Sequence, residues 1–421
     1  MIQTMEILPG IRLHCCRDNR FKQGALSIQF VRPMCKEESA LNALLPAVLL
    51  RGTEKYPDLR AITLHLDDLY GAAISAQVRR VGDYQTTGIY CNFIEDRFAL
   101  AGDEILTPMV NFIGQLLFDP VLENGAFSED FVASEKKNLI ATIESEKNDK
   151  RLYASACLLR RMCQGDSFAL PRLGEKKDVQ AITPQSLYDH YQRILRESPV
   201  ELFYVGSGAP KQIAKLLKAQ FESITRQVRP LAGQSSFQGG KQVHEIKVMD
   251  VAQAKLCMGF VTPITNRAPE FAAMQVFNAV LGGSMTSKLF MNVREKLSLC
   301  YSISTGYYGS KGLLTLSAGI DSEKDDIVRQ EIFRQLDACR NGDISAEELA
   351  AAKEAICSGL RTVHDSPGAI EGYYAVAALS GLTLTLNDYI AAVENVTVDQ
   401  VAIAANALQY HSSFLLRGGQ Q

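Results

Sequence analysis

Zinc-dependent hydrolysis on a helix needs two histidines at i and i+4, so that both imidazoles leave one face, with a glutamate beside them as general base. The chain has six histidines, His14, His65, His190, His244, His364 and His411, and the closest two, His364 and His411, stand 47 residues apart. Counting alone excludes a local zinc motif. His65 and His190 fall on helical stretches as satisfied or solvated side chains. His364-Asp365 could form an acid/base couple, but Ser366-Pro367 follows at once and marks the close of a helix. No G-x-S-x-G elbow, P-loop or dinucleotide fingerprint occurs, and Gly282-Gly283-Ser284 reads as a turn between helices, not as a phosphate cradle. The ten cysteines are scattered without C-x-x-C spacing. They read as small buried hydrophobes kept reduced.

One string reads as the remains of a site: Leu44-Leu45-Pro46-Ala47-Val48-Leu49-Leu50-Arg51-Gly52-Thr53-Glu54-Lys55-Tyr56-Pro57. It resembles the helix of pitrilysin/insulinase-type peptidases that carries an inverted H-x-x-E-H motif and runs into a G-T-x-x-Y/F-P turn. Counted back from Gly52-Thr53, the two zinc histidines fall on Ala43 and Ala47 and the catalytic glutamate on Pro46. Alanine offers no ligand, and a proline inside a helix removes a backbone donor at a cost of about 3 kcal/mol. The family's third ligand is a glutamate seven residues after another. Glu135 aligns with the first of that pair and Thr142 with the ligand, while a slip of two residues offers Glu144 instead. Either way a lone carboxylate does not hold zinc, and Glu135, Glu144 and Glu146 read as the solvated face of a charged helix.

A second string is intact: Leu281-Gly282-Gly283-Ser284-Met285-Thr286-Ser287-Lys288-Leu289-Phe290-Met291-Asn292-Val293-Arg294-Glu295-Lys296, then Leu299-Cys300-Tyr301-Ser302. It is similar to the family's L-G-G-x-x-x-S-x-L-F-x-x-(I/L)-R-E-K-x-x-L-x-Y-S. The resemblance implies that Arg294 and Tyr301 grip the substrate backbone and steady charge on the attacked carbonyl. Read without it, Arg294 pairs with Glu295 or a helix end, and Tyr301 packs at a strand start. Lys288, on the same helix, is expected to be an inert surface residue.

The elements that must position these residues follow from patterning. At 421 residues, 47% apolar and 22% charged, the chain is long enough for two or three domains with sizeable cores. Residues 227–242, rich in Gly, Ser and Gln, read as a linker between a domain at 1–226 and another at 243–421. Phe30, Pro33 and Gly52 match Phe260, Pro263 and Gly282 at one displacement. Each half ends with a Thr-capped helix, starting after Thr183 or Thr397, and then an apolar strand. Strands are expected over 25–31, 86–93, 254–261 and 312–319. Helices are expected over 40–50, 270–281, 346–364 and 128–163, the last broken near Asn148-Asp149. The fold class is α+β: two duplicated domains, each a mixed β-sheet covered by helices, as in the LuxS/processing-peptidase-like metallopeptidases.

With 44 Lys+Arg against 47 Asp+Glu, no global field favours nucleic acid or a membrane surface. The N-terminal residues lack a basic, apolar signal pattern, and no stretch is long enough for a span, so the expected location is the cytoplasm. The resemblance implies a short two-domain bacterial member of the family without metal ligands. Such a chain would be the peptide-binding subunit of a heterodimer whose partner bears H-x-x-E-H and holds the only zinc. A homodimer when alone, a stand-alone peptide-binding scaffold, and a residual peptidase with non-standard ligands are the alternatives.

Overall fold

Period-two patterning builds the sheets. In the strand Gln23–Pro33, Leu26, Ile28 and Phe30 enter the hydrophobic core, so Ser27 and Gln29 face the other side. The computed structural model describes residues 2–237 and 239–418; Gln238, within the expected linker, lies outside the described residues. The chain forms two compact units. One holds residues 1–144, 170–233 and 364–376, and the other holds 145–169, 234–363 and 377–421.

The first unit contains a six-stranded mixed sheet of β1 (Ile2–Leu8), β2 (Ile11–Arg17), β3 (Gln23–Pro33), β4 (Ala73–Val81), β5 (Tyr84–Ile94) and β6 (Val200–Gly206), in the order β1-β2-β6-β3-β5-β4. Only β2 and β6 run parallel. The second unit contains a five-stranded sheet of β7 (His244–Val248), β8 (Ala254–Val261), β9 (Cys300–Tyr308), β10 (Leu313–Ile320) and β11 (Gln409–Arg417), in the order β9-β10-β8-β11-β7. Here β7 and β11 are the parallel pair. The two orders superimpose strand for strand, with β1 left over, so the short internal repeat in the sequence is a repeat of topology. The fold is α+β, as expected.

The helices on the first sheet include α1 (Lys36–Leu49) and α2 (Glu129–Ser145). The expected break comes after α2, where Asp149 accepts hydrogen bonds from the Arg151 and Leu152 amides and starts α3 (Lys150–Met162). That cap opens a segment of the other unit. Ala154 and Leu158 of α3 pack on Cys257, Phe414 and Leu416. Conversely, residues 364–376 belong to the first unit, where buried Glu371 accepts from both terminal nitrogens of Arg79, at 2.9 and 2.6 Å, and from Ser27 Oγ at 2.6 Å. The helix α4 (Pro184–Glu197) starts at a capping box of Thr183 and Ser186, and Val398–Asn406 starts at one of Thr397 and Gln400. Among the described residues no helix is long and apolar enough to cross a membrane.

Candidate functional site

The helix that would carry a zinc motif is part of the core. Ala43 and Pro46 are buried and Ala47 is half-buried. Pro46 has no N–H to give the carbonyl of Asn42 one turn back, and Asn42 is fully buried. Thr87 supplies the missing donor from β5, its Oγ1 lying 2.7 Å from that carbonyl oxygen. The helix therefore continues past the proline, with the Leu50 amide reaching the Pro46 carbonyl. Between Pro46, Thr87 and Tyr191 only an apolar gap of about 10 Å³ remains.

The turn after the helix keeps its family form for structural reasons. A Cβ on Gly52 would lie 2.6 Å from the Pro57 carbonyl oxygen. Buried Thr53 donates its amide to the Tyr56 carbonyl at 2.8 Å, and its hydroxyl accepts from the Tyr56 amide at 2.9 Å. Tyr56 then stacks on His65 at 4.4 Å. His65 is thus an aromatic packing partner.

The third-ligand helix α2 offers no better. Glu135 pairs with Arg51 at 3.1 Å, the Thr142 hydroxyl donates to the Asn138 carbonyl at 3.0 Å, and Glu144 pairs with Lys176 at 2.5 Å. These residues do not fit zinc: two alanines and a proline hold the ligand and base positions, and Glu135 and Glu144 are each paired with a cation. Among the described residues no group of three or more His, Cys, Asp or Glu is arranged to hold a metal.

What α1 carries is a buried polar network that its sequence did not announce. His190 of α4 lies 2.8 Å, through Nε2, from Asn42 Oδ1. Asn42 Nδ2 donates to Gln85 at 2.8 Å, and Gln85 Nε2 donates to the Ser39 and Arg172 carbonyls. Because the amide oxygen only accepts, His190 carries its proton on Nε2, leaving Nδ1 to accept from Arg193 at 3.3 Å. Burial holds its pKa down at about 4. This imidazole is a neutral structural group.

The Arg/Tyr motif sits in the second unit. Gly282 and Gly283 are not a turn, as the sequence suggests. They close a π-helical turn, Ala279–Gly283, and a Cβ on Gly282 would meet Thr305 of β9 at 2.8 Å, so the glycine allows helix and strand to touch. A second π-helical stretch, Leu289–Lys296, carries Arg294. Past its end comes Ser298, held in the left-handed region at φ 50° with its amide bonded to the Arg294 carbonyl, and the chain then enters β9 at Cys300-Tyr301. Wide π-helical turns and a strained non-glycine residue often mark functional sites.

Both motif side chains reach solvent, Arg294 40% and Tyr301 60% exposed. Arg294 lies over the Phe290 ring at 4.5 Å and beside Glu295 at 3.4 Å, while the Tyr301 hydroxyl donates to Asp321 at 3.1 Å. Lys324 and then Tyr301 hold the Asp321 carboxyl below its usual range. Met285, Met291 and Leu297 of the same segment are also exposed. Sequence reasoning missed these exposed apolar side chains; three large apolar residues within the motif string were the available signal. Lys288 overturns the expectation of an inert surface residue. It is buried, and Glu348 accepts from its ammonium at 2.9 and 2.8 Å while also capping the helix Ala346–Thr362 through the Ser345 amide. It stands at the N-cap of the π-helical segment, where Glu348 meets it.

Two repeated α+β units, a peptidase helix without ligands and an outward Arg/Tyr pair define the class: a zinc-peptidase homologue without its metal site. Comparison with known proteins agrees. Residues 181–356 match the family model of the peptidase M16 inactive domain. The probable inactive metalloprotease YmfF of Bacillus subtilis (strain 168) is 31% identical over 97% of this chain and 96% of its own length. A conserved protein from Enterococcus faecalis V583 has a similar crystal structure, with TM-score 0.90, 27% identity and coverage of 100% of this chain and 99% of that one. The fold is shared by a peptidase M16 inactive domain from Pseudomonas fluorescens, with TM-score 0.82, 18% identity and coverage of 100% and 98%. The chain belongs to the M16 family, the pitrilysin/insulinase-type peptidases, as an inactive metalloprotease homologue.

Proposed function

We propose that this chain is the non-catalytic, peptide-gripping subunit of a two-subunit M16 peptidase in the cytoplasm, paired with a homologue that carries H-x-x-E-H and the complex's only zinc. The observation that carries this reading is the contrast between the two motifs. The metal helix has been absorbed into the core, whereas Arg294 and Tyr301 stay at the surface, and Met285, Met291 and Leu297 of the same stretch of chain are exposed too. An exposed Arg–Glu contact stabilises little, so Arg294 is free to exchange Glu295 for a peptide carbonyl at small cost. Methionines adapt to varied side chains, which suits a surface that must accept many peptides.

The test is steady-state kinetics of the complex reconstituted with an H-x-x-E-H homologue. Arg294→Ala and Tyr301→Phe are each expected to leave assembly and melting intact while lowering turnover about 10²–10³-fold, the usual effect of removing one donor to a developing oxyanion. Exposed Lys296 on the same segment is the control, and Lys296→Ala should change nothing. Unchanged turnover in both variants, or failure of any such homologue to bind, would refute the reading.

A further inference from the structure

The strand order repeats between the two sheets, and the repeat stops short at one edge. In the first unit β2 lies parallel to β6 and is closed on its other side by β1, antiparallel. In the second, β7 takes the place of β2, parallel to β11, and no strand among the described residues pairs with its other side. The pairings fix the equivalence. Leu26 lies opposite Tyr204, which is beside Cys15; Leu256 lies opposite Leu415, which is beside Ile246. Cys15 is buried. Ile246 and, two residues on, Val248 are each 57% exposed.

We propose that β7 is a docking edge for the β7 of a second copy of this chain, the two running antiparallel about a twofold axis and joining their five-stranded sheets. The direction is the one β1 takes on the equivalent edge. The residues of His244-Glu245-Ile246-Lys247-Val248 select both direction and register. With Ile246 opposite its twin, each Glu245 faces the other copy's Lys247, giving two opposite-charge pairs on one side of the sheet and an apolar contact on the other. Parallel pairing in register would instead set Glu245 against Glu245 and Lys247 against Lys247. Within one chain Glu245 lies 3.0 Å from Arg161, and the Lys247 ammonium lies 2.6 Å from the Tyr153 hydroxyl. Both partners come from α3 and flank the new pairs. The edge is opposite to β9, which carries Tyr301, so the proposal stands independently of the peptidase reading.

Sedimentation of the purified chain over a concentration series tests it. A monomer–dimer equilibrium is expected, and E245K or K247E alone should weaken the dimer about tenfold to a hundredfold, because two attractive pairs become repulsive. The double variant E245K/K247E should recover it. Cysteine variants cover the case in which a swap disturbs folding. I246C should form a disulfide-linked dimer on mild oxidation, since directly opposed residues come within bridging reach, and V248C, facing His244, should not. A monomer at all concentrations, a dimer indifferent to the charge swaps, or equal cross-linking of I246C and V248C would each overturn the proposal.

Discussion

Thr87 is predicted to hold up the proline in α1, and a double-mutant cycle measures it. Thr87→Val keeps the shape of the side chain and removes the donor 2.7 Å from the Asn42 carbonyl, which is fully buried. An orphaned buried acceptor costs about 1–3 kcal/mol, so a loss of about 2 kcal/mol is expected. For a unit of this size that corresponds to roughly 4–8 °C in melting temperature. Pro46→Ala restores an N–H aimed at the same carbonyl. In that background Thr87→Val should cost under about 1 kcal/mol, giving a coupling of about 1–1.5 kcal/mol. Urea and thermal melts followed by circular dichroism, on the wild type, both single variants and the double, supply the four corners. Equal losses from Thr87→Val in both backgrounds would show that the hydroxyl acts elsewhere and refute the reasoning.

His190 should make the protein acid-sensitive. Its folded pKa is depressed to about 4 from 6.5, so below pH 6.5 the unfolded chain takes up a proton that the folded chain refuses, and stability falls as pH drops from about 6.5 to 4. The effect is of order 3 kcal/mol across that window, and stability against pH for His190→Gln should be flatter there. Lys288→Ala should destabilise by about 1–3 kcal/mol by orphaning Glu348, read as a lower melting temperature. Restoring the zinc motif as Ala43→His, Pro46→Glu and Ala47→His should neither bind zinc tightly nor create a peptidase, as measured by elemental analysis and peptide hydrolysis. The gap beside Pro46 has no room for a glutamate, and Thr142 supplies no carboxylate.

Whatever depends on the chemistry of a side chain or on local period was legible along the chain. Alanine at 43 and 47 cannot ligate a metal wherever the helix lies. The alternation of Leu26, Ile28 and Phe30 marks a strand with one apolar face, and Thr183, Thr397 and Asp149 cap helices through amides two or three residues away. Tertiary structure alone decided which distant groups meet. Thr87 reaches the carbonyl freed by Pro46 across 45 residues of chain, and Lys288 becomes buried because Glu348 lies 60 residues on. The helix after Asp149 packs with the other sheet, and β7 is left as an edge because β1 has no counterpart there. Local signals extend over a turn of helix or a pair of strand residues. Contacts of this kind depend on how whole elements pack, and no window of sequence contains both partners.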